Sequence, residues 1–539
     1  MIIRVLINYI LPILSIFLVS ILVYISLHKR HLKTAVTDRL LLFILLAFSV
    51  FYMCTLNSHI GTNGDNARYL ILAKSIAEGT GLRQIYMPGS PPYTGLNFGF
   101  PLLLTPFAKI CFNNILTIKL LPMAATIIAL LILYTLVKRL YGYAVALIVI
   151  ILTGINFSIL SFSHQIMTEN IYLLFSSVVL LIAINVINDK RNQYFNVFLL
   201  SALVFFAFTI RSIGLALFIS VLIAFALRKK VVPLAIIIST FFILIAPFIL
   251  RQIIVSNSAL GEGGYINQFL MQSPYTPDYG RVSFMGIFYR IFVNARLYFT
   301  LVIPYMLSAT KLKWFMWLLV VPFFVGYFKK NRNDSLIKMY LAIYILPCLL
   351  FNVVVSRYII PILPFLLLYF VTGCQKLLSI LGHRIKNGKR IEKILFAVII
   401  VFVFLPHTYK DLKHIEHEQA VYYYSPEWRG YFTIANWARD NTPPDCIISC
   451  RKQALFWFRA RRKTIGYPFT KDKSKVLKYI LTNKADYVVL DAFKWTDTTE
   501  RFLKPVILAY PDIFKFKIYP TAHPSTRLYK VVPSIISSH

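Results

Sequence analysis

The chain has 539 residues, 58% of them hydrophobic and only 14% charged, with a mean hydropathy of +0.68. Soluble globular proteins carry about 25% charged residues; this shortfall, with apolar runs of about 20 residues, excludes a soluble enzyme, a fibrous protein and a disordered chain. The 57 Lys+Arg against 21 Asp+Glu, a net charge of +36, read as basic cytoplasmic loops beside anionic lipid rather than as a nucleic-acid surface.

Apolar runs predict spans near residues 5–27, 40–57, 115–137, 143–162, 170–187, 195–210, 212–227, 231–250, 313–328, 336–354, 356–373 and 391–406. The first lacks a small-residue cleavage site and another run follows at once, so it reads as a retained helix rather than a signal peptide. Basic clusters follow alternate spans: His28–Lys33 with Arg39, Lys138–Arg139, Lys190–Arg191, Arg228–Lys230, Lys329–Arg332 and Arg384–Lys393. Placed in the cytoplasm, they fit twelve spans with both termini outside. Residues 297–310 are also apolar, but counting them as a span would put Lys329–Arg332 outside; an interfacial or re-entrant helix is expected there. The chain divides into a membrane domain, 1–406, and a C-terminal domain, 407–539, with long outer loops at about 58–114 and 251–312. These loops are rich in aromatic and apolar residues, which argues against disorder.

The first 406 residues hold nine acids: Asp38, Asp65, Glu78, Glu169, Asp189, Glu262, Asp278, Asp334 and Glu392. In the first outer loop Asp65 follows Gly64 and opens an amphipathic helix over 66–79, which stops at Gly79 and Gly81. A Pro/Gly-rich turn at 88–95 precedes a second helix starting at Pro101. Both helices are too short to span and are expected in the interface. Asp65 reads either as a helix N-cap or as a carboxylate whose basicity rises at the membrane surface. Glu169 lies in His164-Gln165-Ile166-Met167-Thr168-Glu169-Asn170 on the same side. It is either a solvated loop acid or part of a set that orients hydroxyl groups. Arg68, Arg211, Arg251 and Arg357 map to outer ends of helices. Each alone reads as a snorkelling anchor; four facing two acids read as an anion site, because Arg meets phosphate through paired N–H donors.

In order, Gly64-Asp65-Asn66-Ala67-Arg68-Tyr69, the Glu78-Gly79 helix end, the Pro-rich turn and Gly99-Phe100-Pro101-Leu102-Leu103-Leu104 resemble the membrane-embedded GT-C glycosyltransferases. The likeness is to the bacterial protein O-mannosyltransferase and aminoarabinose transferase branch. Met167-Thr168-Glu169-Asn170 resembles that family's second acidic turn, and Ser356-Arg357-Tyr358 with Pro361 and Pro364 its late Arg-Tyr motif. Ala435–Asp445 looks like the opening of its periplasmic domain. Two positions depart from the pattern: Asn66, where many members have a second acid, and Asn97-Phe98-Gly99, where the mannosyl and aminoarabinose branches often carry a charged residue or His.

The resemblance implies a GT-C fold of about twelve transmembrane helices with a small C-terminal α/β periplasmic domain, in a bacterial inner membrane. It implies inverting transfer of a sugar from a polyprenyl-phosphate donor on the outer face. The acceptor is a hydroxyl or phosphate of a protein, lipid A or a surface glycan. Asp65 and Glu169 stand as catalytic acids; Arg357, Tyr358, Arg211, Arg68 and Arg251 as donor-phosphate ligands; Tyr69, His164, Asn170 and Asn97 as substrate-binding residues. No cofactor is indicated, and a divalent metal is compatible with the acids without being called for. A flippase for lipid-linked glycans, or a non-catalytic assembly subunit, is the alternative reading.

The C-terminal domain reads as three-layer α/β: a helix at Trp428–Asp440, strands at Cys446–Cys450, Tyr487–Leu490, Phe514–Tyr519 and Arg527–Val532, and a helix at Asp472–Leu481. It lacks the Gly-rich loops of nucleotide binders. Its basic run, Arg459-Ala460-Arg461-Arg462-Lys463, is either a solvated turn or a site for an anionic acceptor or headgroup. The six cysteines show no zinc spacing, and Cys446 and Cys450 on one strand lie about 13 Å apart, too far for a disulfide.

Overall fold

The computed structural model describes residues 9–28, 34–188, 194–256, 269–273, 275–310, 313–383, 387–421, 423–518 and 526–532. The start of the first predicted span, the basic residues at 29–33, 190–191 and 384–386, the acids Asp189 and Glu262, and Tyr519 lie outside them.

Among the described residues, sixteen helices make the body. They are α1 (Leu11–His28), α2 (Thr34–Met53), α3 (Asp65–Ala77), α4 (Gly99–Cys111), α5 (Ile115–Tyr141), α6 (Tyr143–Gly154), α7 (Phe157–Ser163) and α8 (Glu169–Asn188). There follow α9 (Tyr194–Ile210), α10 (Gly214–Leu227), α11 (Val231–Ser256), α12 (Phe284–Ser308), α13 (Lys313–Phe328), α14 (Ser335–Leu350), α15 (Leu363–Gly382) and α16 (Gly388–Glu418). Among the described residues six helices are long and apolar enough to cross a membrane, or seven if the bent pair α6–α7 is one span. Several of the other predicted spans are apolar helices of 10–17 residues, short of the roughly 20 that a perpendicular crossing needs. Helix α15 is central: 89% of its apolar window is buried. It meets α13 backbone to backbone at Gly326 and Gly373, where an added Cβ would sit 1.9 Å from Tyr369 O and 1.7 Å from Pro322 O. Small residues at such crossings let membrane helices pack closely.

Two features differ from the sequence expectation. Residues 297–308 are not a separate interfacial helix; they finish the 25-residue α12, continuous through a π turn at Tyr298–Val302. Early in α12, Asn294 donates to Leu349 O and Phe351 O at 2.8 Å, near the Arg357 end of the body. Its last turn reaches His407 of α16, which lies about 16 Å along that helix from Glu418. The helix therefore enters the body. Second, α16 does not stop at Pro406 but runs on through Glu418, because its last turns still bury His407, Asp411, Ile415 and Glu418.

The break between α6 and α7, bent by 62°, is held by polar side chains. Asn156 caps α7 by accepting from Ser158 N at 3.0 Å and donates to Met306 O at 2.7 Å. His407 Nδ1 accepts from Phe157 N at 3.1 Å. Its proton therefore sits on Nε2, which donates to Leu307 O at 3.1 Å. The backbone groups freed by the break are thus satisfied inside protein.

Beyond α16 come α17 (Pro426–Asn441), β1 (Ile447–Ser449), α18 (Gln453–Ala460), β2 (Lys463–Ile465), α19 (Lys473–Thr482), β3 (Tyr487–Leu490), α20 (Lys504–Ala509), β4 (Phe514–Ile518) and β5 (Arg527–Val531). The sheet order is β2-β1-β3-β5-β4. The β1 strand is parallel to β2 and β3, and the β3–β5 and β5–β4 pairs are antiparallel. Tyr431, Leu455 and Phe456 of α17 and α18 join the core of the body, while Val476 and Ile480 of α19, Leu503 of the π turn before α20 and Val506 of α20 build a second core. This is the three-layer arrangement expected, with β2, α18 and α20 added.

The basic run is a docking surface rather than a solvated turn. Arg462, 9% exposed, donates to Arg439 O at 2.5 Å and to Thr442 O at 2.7 Å, satisfying carbonyls at the C-terminus of α17. Lys463 Nζ donates to Ile85 O at 2.8 Å, Arg461 to Asn113 Oδ1 at 2.9 Å, and Thr464 N to Tyr86 O at 2.8 Å. All three fasten the domain to the loop at 58–114.

Candidate active site

The loop at 58–114, the start of α8, the end of α9 and the turn before α15 meet at the end of the body that carries the C-terminal domain. Gly64, with φ +89°, occupies the cap position of α3, so Asp65 is the first helical residue rather than the cap. Its carboxylate is free for tertiary partners. Arg68, one turn on, donates through Nη2 to Asp65 Oδ1 at 2.6 Å. Arg357, from a 3-10 turn at Ser356–Tyr358, approaches Asp65 Oδ2 through Nη1 at 3.4 Å and Nη2 at 3.5 Å.

Glu169 is the first residue of α8, with a side chain 1% exposed. Arg211, just past α9, places Nη1 2.7 Å from Glu169 Oε1 and donates from the same nitrogen to Thr168 Oγ1 at 2.9 Å. The Arg–Glu contact is an ion pair, and the aligned hydrogen bond goes to the threonine. Arg357 Nε lies 3.9 Å from the same Glu169 oxygen. One guanidinium therefore stands between both acids. The ring of Tyr358 lies 5.7 Å from Arg357 Cζ and 6.0 Å from Arg211 Cζ. Half-buried Tyr69 packs edge-on against Phe100 at 5.3 Å, within the field of Asp65.

The C-terminal domain supplies a residue that the sequence reading missed. Lys452 follows β1 and donates to Asn63 O at 3.3 Å, against the Asp65 turn. A Cβ on Gly64 would lie 3.3 Å from Lys452 Nζ. Burial lowers the ammonium pKa to about 8; the Asp65 carboxylate pulls the other way, and Arg451, Arg357 and Arg68 add to the lowering. Arg451 stacks on Trp495 at 4.5 Å, and Trp495 is 46% exposed. These residues lie beyond the carboxyl ends of parallel strands β1 and β3, where open α/β sheets commonly place ligands. That rule was the available signal. Asp65 and Glu169 against Arg68, Arg211, Arg357 and Lys452 leave an excess of positive charge, the electrostatics of an anion site.

Four predicted residues have their described partners outside the acid–arginine network. Arg251 clamps the loop, donating to Tyr93 O at 2.8 Å and Leu82 O at 3.2 Å. Asn170 is buried and donates to Thr126 Oγ1 at 2.9 Å and Ile159 O at 3.0 Å. Asn97 accepts from Ser212 Oγ at 2.9 Å, joining the loop to the residue after Arg211. His164 turns away from the arginines toward Glu418.

A helical membrane body roofed by a small mixed-sheet domain is an architecture found among solved structures. ArnT from Cupriavidus metallidurans in the apo state matches with a TM-score of 0.58 at 12% identity, over 92% of this chain and 98% of that one. The same protein bound to undecaprenyl phosphate gives 0.55 at 12% identity, over 93% and 99%. The oligosaccharyltransferase AglB from Archaeoglobus fulgidus, in complex with an inhibitory peptide and a dolichol-phosphate, gives 0.55 at 12% identity, over 92% and 74%. No protein-family model matches the sequence, and a search of curated proteins finds no match. The chain has the GT-C fold.

Proposed function

We propose that this protein is an inverting glycosyltransferase. It moves a sugar from a polyprenyl-phosphate donor to an acceptor hydroxyl or phosphate at the periplasmic face of a bacterial inner membrane. The observation that carries the reading is Arg357 standing between Asp65 and Glu169, 3.4 Å and 3.9 Å from their oxygens. A lone carboxylate pair would repel an incoming phosphate; arginines held between the acids can receive it. ArnT bound to undecaprenyl phosphate and AglB bound to a dolichol-phosphate, on the same fold, support a lipid phosphate as the ligand.

In the proposed step the acceptor oxygen attacks the anomeric carbon as the bond from that carbon to the phosphate oxygen breaks. The electron pair leaves with the phosphate, and the acceptor proton passes to a carboxylate. Asp65 suits that role, since its side chain is 25% exposed while Glu169 is enclosed. Glu169 holds Arg211 and Arg357 in place. Arg357, Arg68 and Lys452 stabilise the charge that grows on the leaving phosphate, and fixed donors of this kind supply much of a transfer enzyme's rate. The phosphate leaves as an anion without needing an acid, so a single base suffices. Trp495 and Arg451 form a wall for the acceptor.

The test is a panel of polyprenyl-phosphate hexoses and pentoses, offered with candidate acceptors to the purified protein in nanodiscs. Transfer with inversion from one donor is expected. Binding of polyprenyl phosphate too weak to detect, with no transfer from any donor, contradicts the proposal.

A further inference from the structure

A second buried polar cluster lies next to the acid–arginine network and takes no part in it. His164 follows α7, and His414 and Glu418 sit one turn apart on α16. His164 Nε2 lies 3.4 Å from Glu418 Oε2, and His414 Nε2 lies 3.5 Å from Glu418 Oε1. One ligand atom from each residue fits within a mutual distance of 4.8 Å. His164 is 1% exposed and Glu418 4%.

The tautomer of His164 follows from its other nitrogen. Nδ1 lies 3.3 Å from Leu160 O, which can only accept, so Nδ1 carries the proton. A neutral His164 then points its Nε2 lone pair at a carboxylate. Neither that nitrogen nor His414 Nε2 makes a hydrogen bond. Lone pairs facing a carboxylate at such distances repel until a positive centre stands between them.

We propose that His164, His414 and Glu418 bind a divalent metal ion of the zinc type. Zinc takes imidazole nitrogen and carboxylate oxygen at about 2.0–2.2 Å, which sets the edges of a tetrahedral site near 3.3 Å. The imidazole nitrogens of His164 and His414 already stand 3.4 and 3.5 Å from the two oxygens of the carboxylate, Oε2 and Oε1, and one ligand atom from each residue lies within 4.8 Å of the others, so a small closure brings them onto one ion. Two imidazoles and one carboxylate suit that class of metal rather than magnesium or calcium. The supporting shell is also in place: Leu160 O orients His164, and Asn57 Nδ2 donates to Glu418 Oε2 at 2.6 Å. His414, with its side chain 16% exposed, gives the ion a way in and solvent a fourth position.

Lys119 is the rival cation. Its Nζ donates to Asn57 Oδ1 at 2.7 Å, on the far side of that amide from Glu418. An ammonium there weakens metal binding, so removing it must strengthen binding if the site takes a metal. The ion ties the residues leading into Glu169 to the last helix of the body, and so positions that acid.

The test uses the full-length protein in nanodiscs, stripped with chelator and titrated with Zn²⁺ or Co²⁺. Bound metal is counted by mass spectrometry, Co²⁺ geometry read from its visible spectrum, and Tm recorded. The expected result is one ion per chain, an intense tetrahedral Co²⁺ spectrum and a Tm that rises with metal. His414→Gln and Glu418→Gln lower affinity at least about tenfold, and Lys119→Met raises it. If the variants fail to fold, the wild type still decides. No stoichiometric uptake, a weak octahedral Co²⁺ spectrum, or a Tm indifferent to chelator overturns the proposal. So does undiminished uptake in folded His164→Gln and His414→Gln.

Discussion

Arg357 Nη1 lies 3.4 Å from Asp65 Oδ2, although 292 positions separate the two residues. The contact brings the first long loop to the start of the most buried helix and places a guanidinium where a lipid phosphate can displace a carboxylate as its partner. Arg357→Ala should weaken binding of polyprenyl phosphate by about 1.5–3 kcal/mol, roughly ten- to a hundredfold. Arg357→Lys should not restore it, because one ammonium cannot replace a fork that meets two acids. Titration in nanodiscs reads both; an unchanged affinity in the alanine variant removes Arg357 from the phosphate site.

Lys452 makes the site sensitive to pH. Burial brings its ammonium to about 8, so its charge is present below that pH and lost as pH rises through it. Donor affinity should therefore fall between pH 7 and about 9 in the wild type, where an ordinary lysine at about 10.4 would hold its charge. Lys452→Met should bind more weakly at pH 7 and show a flatter profile. Equal slopes in the two proteins would refute the assignment.

Gly64 adopts φ +89° and lies against Lys452. Gly64→Ala should cost about 1–2 kcal/mol in left-handed strain alone. It should also displace Asp65, so transfer falls by more than the loss in thermal stability explains. Melting curves and rates measured together separate the two effects.

Arg462→Ala should loosen the C-terminal domain. It leaves Arg439 O and Thr442 O at the end of α17 without their donor, a loss of about 1.5–3 kcal/mol for bonds from a charged group. Limited proteolysis should cut the domain faster in the variant. Arg439→Ala, whose side chain is exposed on the surface, should behave as wild type.

Much of the body was legible because helix length and apolarity are local properties. The helices around Asp65 and Pro101 begin within a few residues of the expected places for the same reason. The union of Asp65, Arg68, Glu169, Arg211 and Arg357 followed from sidedness, which the spacing of basic clusters suggests. Contacts across the chain left no such trace. Nothing near Lys452 announces that it meets Asn63, 389 residues away. His164 looked like a site residue because it neighbours Glu169, yet the turn sends it to Glu418. Arg251 and Asn170 have the right chemistry, but backbone carbonyls within reach claim them. Residues 297–308 were read as a separate interfacial or re-entrant helix because charge sidedness argues against one more crossing; that rule carries no sign that they continue a helix begun at Phe284. The His414–Glu418 pair escaped notice because the last span was expected to end at residue 406, and its partner His164, just after α7, was read with Glu169 instead.

The most direct measurement of the central claim is single-turnover transfer from the preferred polyprenyl-phosphate sugar, comparing wild type with Asp65→Asn at saturating donor. Loss of a general base predicts a rate lower by about 10²–10⁴-fold with donor binding retained. A rate within a factor of two of wild type, in a folded Asp65→Asn protein that binds donor, would contradict the assignment of Asp65 as the base.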